Sequence, residues 1–144
     1  MRTNALADTG AILAFLGEND RWHRAVTEAF AYMRFPLLTS EAVLTELFHF
    51  IGGRFDLVEV AWKFVRSGAL TLGTITDADL PALSQLMHQY SDRPMDFADA
   101  TLVHLAERES LTTILTVDVS DFQAYRIGGR RRFRILPEPG TVRV

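Results

Sequence analysis

N-A-L-A-D-T-G, residues 4 to 10, reads as a short apolar strand that stops on an aspartate, with the apolar run A-I-L-A-F-L (11–16) directly behind it. The same grammar returns near the other end of the chain. T-T-I-L-T-V-D (112–118) is again a strand that runs into an aspartate. Between them, F-P-L-L-T (35–39) and A-L-T-L-G (69–73) read as further strands, and F-R-I-L-P (133–137) as a last one. Helical stretches separate them. One is expected from about Asp20 to Met33, with Trp22, Ala25, Val26, Ala29, Phe30 and Met33 on one face. A second is capped by Ser40 and closed at Gly52-Gly53, a third is L-V-E-V-A-W-K-F-V-R (57–66), and a fourth carries Pro81 in its first turn. A fifth opens at Asp96, and a short one falls near S-D-F-Q-A-Y (120–125). Strands joined through helices of ten or more residues predict a parallel sheet covered on both faces, an α/β fold.

Composition bounds what such a fold is for. The 144 residues form one expected domain, 1–144, with 48% hydrophobic content and no cysteine, which excludes a disulfide framework, a zinc-thiolate site or a thiol nucleophile. The N-terminal stretch reaches an acid too early for a signal peptide, and no apolar run approaches the ~18 residues of a membrane span. The expectation is a cytoplasmic protein with no membrane association. A net charge of −3 argues at first against nucleic acid. The distribution is less simple, because 14 of the 15 basic residues are arginine and five of them lie in R-I-G-G-R-R-R-F-R (126–134). Arginine's planar fork suits phosphate, although a solvated loop explains the same cluster.

In open α/β sheets chemistry gathers at the carboxyl ends of the strands. Asp8 and Asp118 both sit there. Asp99 lies in the first turn of the helix opened by Asp96, and at 100° per residue it falls inside the apolar arc between Ala106 and Val103. A carboxylate on a buried face needs a cation or several donors. Glu46 borders the apolar stripe expected from Val43, Leu44, Leu47, Phe48, Phe50 and Ile51. Each acid has a plainer explanation: Asp8 as a cap, Glu46 as a boundary glutamate, Asp96 as N-cap, Asp118 and Asp121 as turn residues. Asp77 and Asp79 are read as caps. Taken together, Asp8, Glu46, Asp99 and Asp118 are four acids, each at a strand end or on a buried helix face. Converging carboxylates without cysteine suit Mg²⁺ or Mn²⁺ rather than zinc. Such a site polarises a phosphoryl oxygen, lowers the pKa of water and stabilises a leaving oxygen.

The ordered set A-D-T-G-A-I-L-A-F-L (7–16), T-S-E-A-V-L-T-E-L (39–47), D-F-A-D-A-T-L-V-H-L-A-E-R (96–108) and L-T-V-D-V-S-D-F (115–122) resembles the PIN-domain ribonucleases, particularly VapC-type toxins of toxin–antitoxin pairs. The resemblance implies a PIN-like α/β/α sandwich with a central parallel sheet and Mg²⁺- or Mn²⁺-dependent cleavage of single-stranded RNA. It places the family's acids on Asp8, Glu46, Asp99 and Asp118, with Asp96 and Asp121 as auxiliary ligands and Thr9 as a polar contact to water or phosphate. A small antitoxin and a second copy of the chain are the partners it implies. Arg126, Arg130, Arg131 and Arg132 carry no family role; as RNA-backbone contacts, their neutralisation lowers the salt dependence of binding without abolishing chemistry. The competing reading is a non-catalytic PIN-like module that binds RNA or protein. A haloacid-dehalogenase-like phosphatase wants an aspartate where Gly10 stands, a receiver domain wants a late lysine where the only one is Lys63, and G-x-S-x-G is absent. His23, His49, His88 and His104 show no metal-ligand spacing and read as surface or half-buried helix residues.

Overall fold

In the computed structural model of the chain, residues 4–140 are described; both ends of the expected 1–144 unit lie outside them. Five short strands, β1 (Leu6–Ala7), β2 (Leu37–Ser40), β3 (Leu70–Gly73), β4 (Thr113–Leu115) and β7 (Arg134–Leu136), form a wholly parallel sheet in the order β3-β2-β1-β4-β7. The helices that flank it are α1 (Thr9–Leu16), α2 (His23–Phe30), α3 (Glu41–Ile51), α4 (Phe55–Val65), α5 (Leu80–Gln89), α6 (Phe97–Arg108) and α7 (Val119–Ala124). From β1 the chain steps outward twice in one direction and then returns to the other side of β1. Strands β1 and β4 are therefore neighbours with diverging connections, which opens a crevice at their carboxyl ends. Among the described residues no helix is long and apolar enough to cross a membrane.

Local chemistry accounts for the boundaries. Ser40 Oγ accepts from the Val43 N–H and Asp96 Oδ1 from the Asp99 N–H, so α3 and α6 both start on side-chain caps. Gly52, at φ 65°, ends α3. The α2 helix is shorter than its periodicity suggests. Asp20 Oδ1 takes the Trp22 N–H at 2.7 Å, and that local turn displaces the first helical bonds to His23, while Met33 stays buried beyond the helix end. Phe50, expected on the apolar face of α3, is 65% exposed because it lies on the flank of the stripe centred on Val43, Leu47 and Ile51.

The arginine-rich segment is not an irregular loop. Arg126–Ile127 (β5) pairs antiparallel with Arg131–Arg132 (β6), and Gly128 and Gly129, at φ 59° and 77°, make the turn between them. Two adjacent positive-φ glycines are what a tight hairpin with right-handed strand twist demands.

The core runs through the sheet and closes on α6, which is buried nearly all round from Ala98 to Ala106. It is tight enough to exclude a methyl group at Gly73: a Cβ there would lie 2.6 Å from Leu105 Cδ2 and 2.7 Å from Cδ1. Leu105 is itself fully buried and has nowhere to swing. Gly73→Ala is expected to cost about 1–3 kcal/mol, visible as a lower urea midpoint with unchanged slope.

Candidate active site

The carboxyl edge of the sheet gathers the acids. Asp8 follows β1, donates its N–H to the Leu115 carbonyl of β4 at 2.9 Å, and its side chain is fixed twice. Oδ1 accepts the Thr9 N–H at 2.8 Å and Oδ2 the Thr116 hydroxyl at 2.9 Å. Asp8 is thus both the cap of α1 and a buried carboxylate of the crevice. Thr9 in turn donates its hydroxyl to Glu46 Oε1 at 2.8 Å, tying α3 to α1. Asp99, 7% exposed, accepts the Tyr125 hydroxyl on Oδ2 at 2.9 Å. Asp118 stands at the N-cap position of α7 without a side-chain capping bond, and its N–H is held by Thr116 Oγ1.

These groups feel one another. Burial first, then the charges of Asp118 and Glu46, raise the Asp8 pKa to about 7 against the hydrogen bonds that lower it. Asp99 is pushed up to about 8 by burial and then by Asp8 and Asp96. Asp118 rises to about 6 through burial and Asp121. Glu46 is raised by burial and by Asp96, while its bond from Thr9 acts the other way. Burial and the neighbouring Asp99 also hold the Tyr125 phenol firmly protonated, which makes it a permanent donor.

Among the described residues, no basic side chain bonds Asp8, Glu46, Asp96, Asp99 or Asp118. The nearest cation in the set is Arg93, on Asp121 at 3.0 Å and on Ser120 at 3.3 Å. Carboxylate oxygens of Asp99, Asp118 and Asp121 lie within 4.8 Å of one another. Crowded carboxylates of which Asp8, Glu46, Asp99 and Asp118 are destabilised as anions, with Arg93 offsetting Asp118 only in part from the rim, are the donor chemistry that a hard divalent cation fits.

All six acids singled out in the sequence converge, with Asp96 as cap and Asp121 at the rim paired to Arg93. The arginines do not join them. Arg126 spends its guanidinium on the carbonyls of Gln123, Ala124 and Tyr125, closing α7. Arg130 and Arg131 stand beside Ser110 and Thr112, with Arg132 next along the hairpin, at the amino edge of the sheet. The 12-residue α6 helix, about 18 Å long, separates that end from the acids. His104 pairs with Asp79 at 2.8 Å, and Asp79, also held by the Thr76 N–H, is lowered to about 2.

Thr116, Tyr125 and Arg93 were not singled out from the sequence. The T-V-D that follows β4 offers a hint for Thr116, two residues before its aspartate. Tyr125 gave none, because its role depends on α7 folding back over the start of α6. Tyr125→Phe removes one hydrogen bond from Asp99 without opening a cavity. A divalent cation bound at these acids is expected to be held about tenfold more weakly by the variant, read as the shift in melting temperature across a Mg²⁺ or Mn²⁺ titration.

Comparison with known proteins points the same way. The family model of the PIN domain matches residues 5–127. Ribonuclease VapC26 of Mycobacterium tuberculosis (strain ATCC 25618 / H37Rv) is 31% identical over 134 residues, covering 92% of this chain and 99% of that one. The crystal structure of Mycobacterium tuberculosis VapC20, described as a sarcin-ricin loop cleaving toxin, superposes with a TM-score of 0.71 at 18% identity, over 82% of this chain and 94% of that one. At that identity the second likeness concerns the fold.

Proposed function

Because this chain belongs to the PIN domain family, we propose that it is a divalent-cation-dependent endoribonuclease that hydrolyses single-stranded RNA, the toxin of a type II toxin–antitoxin pair. The observation that carries the reading is the convergence of Asp8, Glu46, Asp99 and Asp118 at the β1/β4 crevice, where among the described residues no basic side chain bonds any of the four and only Arg93 acts on Asp118 from the rim. A binding module gains nothing from raising four carboxylates together. A hydrolase does, because a seated cation relieves at neutral pH the crowding that protons relieve in acid.

Asp8, Asp99 and Asp118 would hold Mg²⁺ or Mn²⁺, with Glu46 reaching it directly or through water and Asp96 and Asp121 as auxiliaries. The ion supplies Lewis acidity toward a phosphoryl oxygen and toward water. The chain's own groups supply position. Thr9 and Thr116 clamp both oxygens of Asp8, and Tyr125 fixes Asp99 Oδ2. Thr9 orients Glu46 through Oε1, beside Asp96. Arg93, at the open rim, is positioned to meet RNA phosphate once Asp121 is otherwise engaged. Water adds across the P–O3′ bond, leaving a 5′-phosphate and a 3′-hydroxyl. Arg130, Arg131 and Arg132, at the far edge, act as an electrostatic approach for RNA rather than as contacts at the cut phosphate. A small antitoxin, a homodimer and a cytoplasmic location complete the proposal.

The test is cleavage of a mixed single-stranded RNA pool with Mg²⁺ or Mn²⁺, against chelator and against Asp8→Asn. Metal-dependent cutting that Asp8→Asn loses is the expected result. A wild type that cuts nothing, or a variant that cuts equally well, removes the enzymatic reading.

A further inference from the structure

Beside the acids lies a cavity of about 560 Å³ that the chemistry above does not use. It opens between the first turns of α3 and α6 and the carboxyl end of β3. Glu46 and Asp96 form the wall it shares with the acidic crevice, and Glu41, Leu72, Ile75 and Phe97 are among its other linings. We propose that this cavity takes one unstacked nucleobase of the RNA next to the cut phosphate, with Phe97 as its stacking face and Glu41 as the acceptor that selects it. The proposal rests on the nuclease reading and adds the determinant of its specificity.

Three observations choose the occupant. First, Phe97 is 45% exposed although it follows the cap of an otherwise buried helix, so its ring is offered to the cavity rather than packed. Single-stranded RNA is recognised largely by stacking splayed bases on such rings. Second, the polar walls are acceptors. Glu41, Glu46 and Asp96 are carboxylates, and of the lining threonines Thr45 and Thr101 already donate to the carbonyls of Glu41 and Ala98. Acidic walls repel phosphate but accept N–H groups from a neutral base. Third, the volume is that of a small-molecule site rather than a cleft for a folded partner. A carboxylate pairs best with a base that shows adjacent N–H donors. Guanine does so with N1–H and its exocyclic amine. Uracil's single N–H lies between two carbonyl oxygens that the walls repel.

The experiment has two arms. Wild type, Phe97→Leu and Glu41→Gln are given a randomised single-stranded RNA pool, and the new ends are sequenced. Wild type is expected to enrich guanine at one fixed position beside the cut, Glu41→Gln to flatten that enrichment, and Phe97→Leu to lower kcat/KM by about tenfold. In the second arm, an oligonucleotide carrying a single 6-methylisoxanthopterin, a fluorescent guanine analogue that keeps the ring N–H and exocyclic amine, is titrated with wild type and with Phe97→Leu under chelation. Its fluorescence is expected to be quenched by wild type and much less by the variant. Cleavage with no base preference, a preference for uracil, or a preference that survives Glu41→Gln overturns the pocket while the nuclease stands. If wild type cuts nothing, the nuclease reading fails, and equal quenching by both proteins then overturns the pocket as well. Competition for the cavity by an arginine-rich peptide alone, with no response to the base, assigns it to protein and also overturns the proposal.

Discussion

Asp99→Asn is expected to lose at least about a thousandfold in RNA cleavage, the scale of removing one essential electrostatic group, and at the same time to make the metal-free protein more stable at alkaline pH. The two effects share one cause. Asp99 lies on a buried face, accepts one hydrogen bond from Tyr125 and sits among Asp8, Asp96 and Asp118, so its folded pKa stands at about 8. An asparagine still accepts from Tyr125 and fills the same volume, but it carries no charge to desolvate and cannot bind the cation as an anion. The gain should therefore grow as pH rises from about 4, the unperturbed aspartate value, toward 8. Melting curves of wild type and variant with chelator at pH 5 and pH 8.5, beside a cleavage assay, read both arms. A variant that is inactive and also less stable at both pH values would make Asp99 a structural residue.

The second large effect is the pH dependence of the whole cluster. For Asp8, Asp99 and Asp118 the folded pKa values stand near 7, 8 and 6, all above the unfolded value, and Glu46 shifts in the same direction. A raised folded pKa means that the native state binds protons more tightly than the unfolded one. Stability from these groups is fully present below about pH 4 and is lost as pH climbs through 6 to 8. Asp79 runs the other way: lowered to about 2, its contribution is lost only in strong acid, as pH falls below about 4. The metal-free protein should then melt progressively lower from about pH 4 to pH 8. Mg²⁺ or Mn²⁺ at a hundredfold excess over its Kd should restore about 2.7 kcal/mol at pH 8, and much less at pH 5, where protons compete for the same oxygens. A flat melting profile with chelator, or a cation effect equal at both pH values, would show that the acids are not coupled through one site.

Much of this architecture was legible before any coordinates. All five sheet strands sit where short apolar runs met turn residues, because strand and helix periods are local properties of a few consecutive side chains. Asp99 stood out for the same reason: a helical wheel needs only the ten residues around it. The caps at Ser40 and Asp96 were equally local. The hairpin of β5 and β6 is signalled in the sequence only by the Gly128-Gly129 pair, because strands of two residues, three of the four being arginine, carry no apolar alternation.

What the sequence determined by itself is the set of acids and their ownership by strand ends and one buried helix face. What only the tertiary structure decided is which groups surround them. The strand order β3-β2-β1-β4-β7 makes neighbours of Ala7 and Leu115, more than a hundred residues apart, and so brings Thr116 onto Asp8. The turn of α7 over α6 delivers Tyr125 to Asp99, and it leaves Arg130 to Arg132 at the opposite edge. Such pairings depend on long-range packing, which no window of consecutive residues contains. The residues announced the charges, and the fold chose their partners.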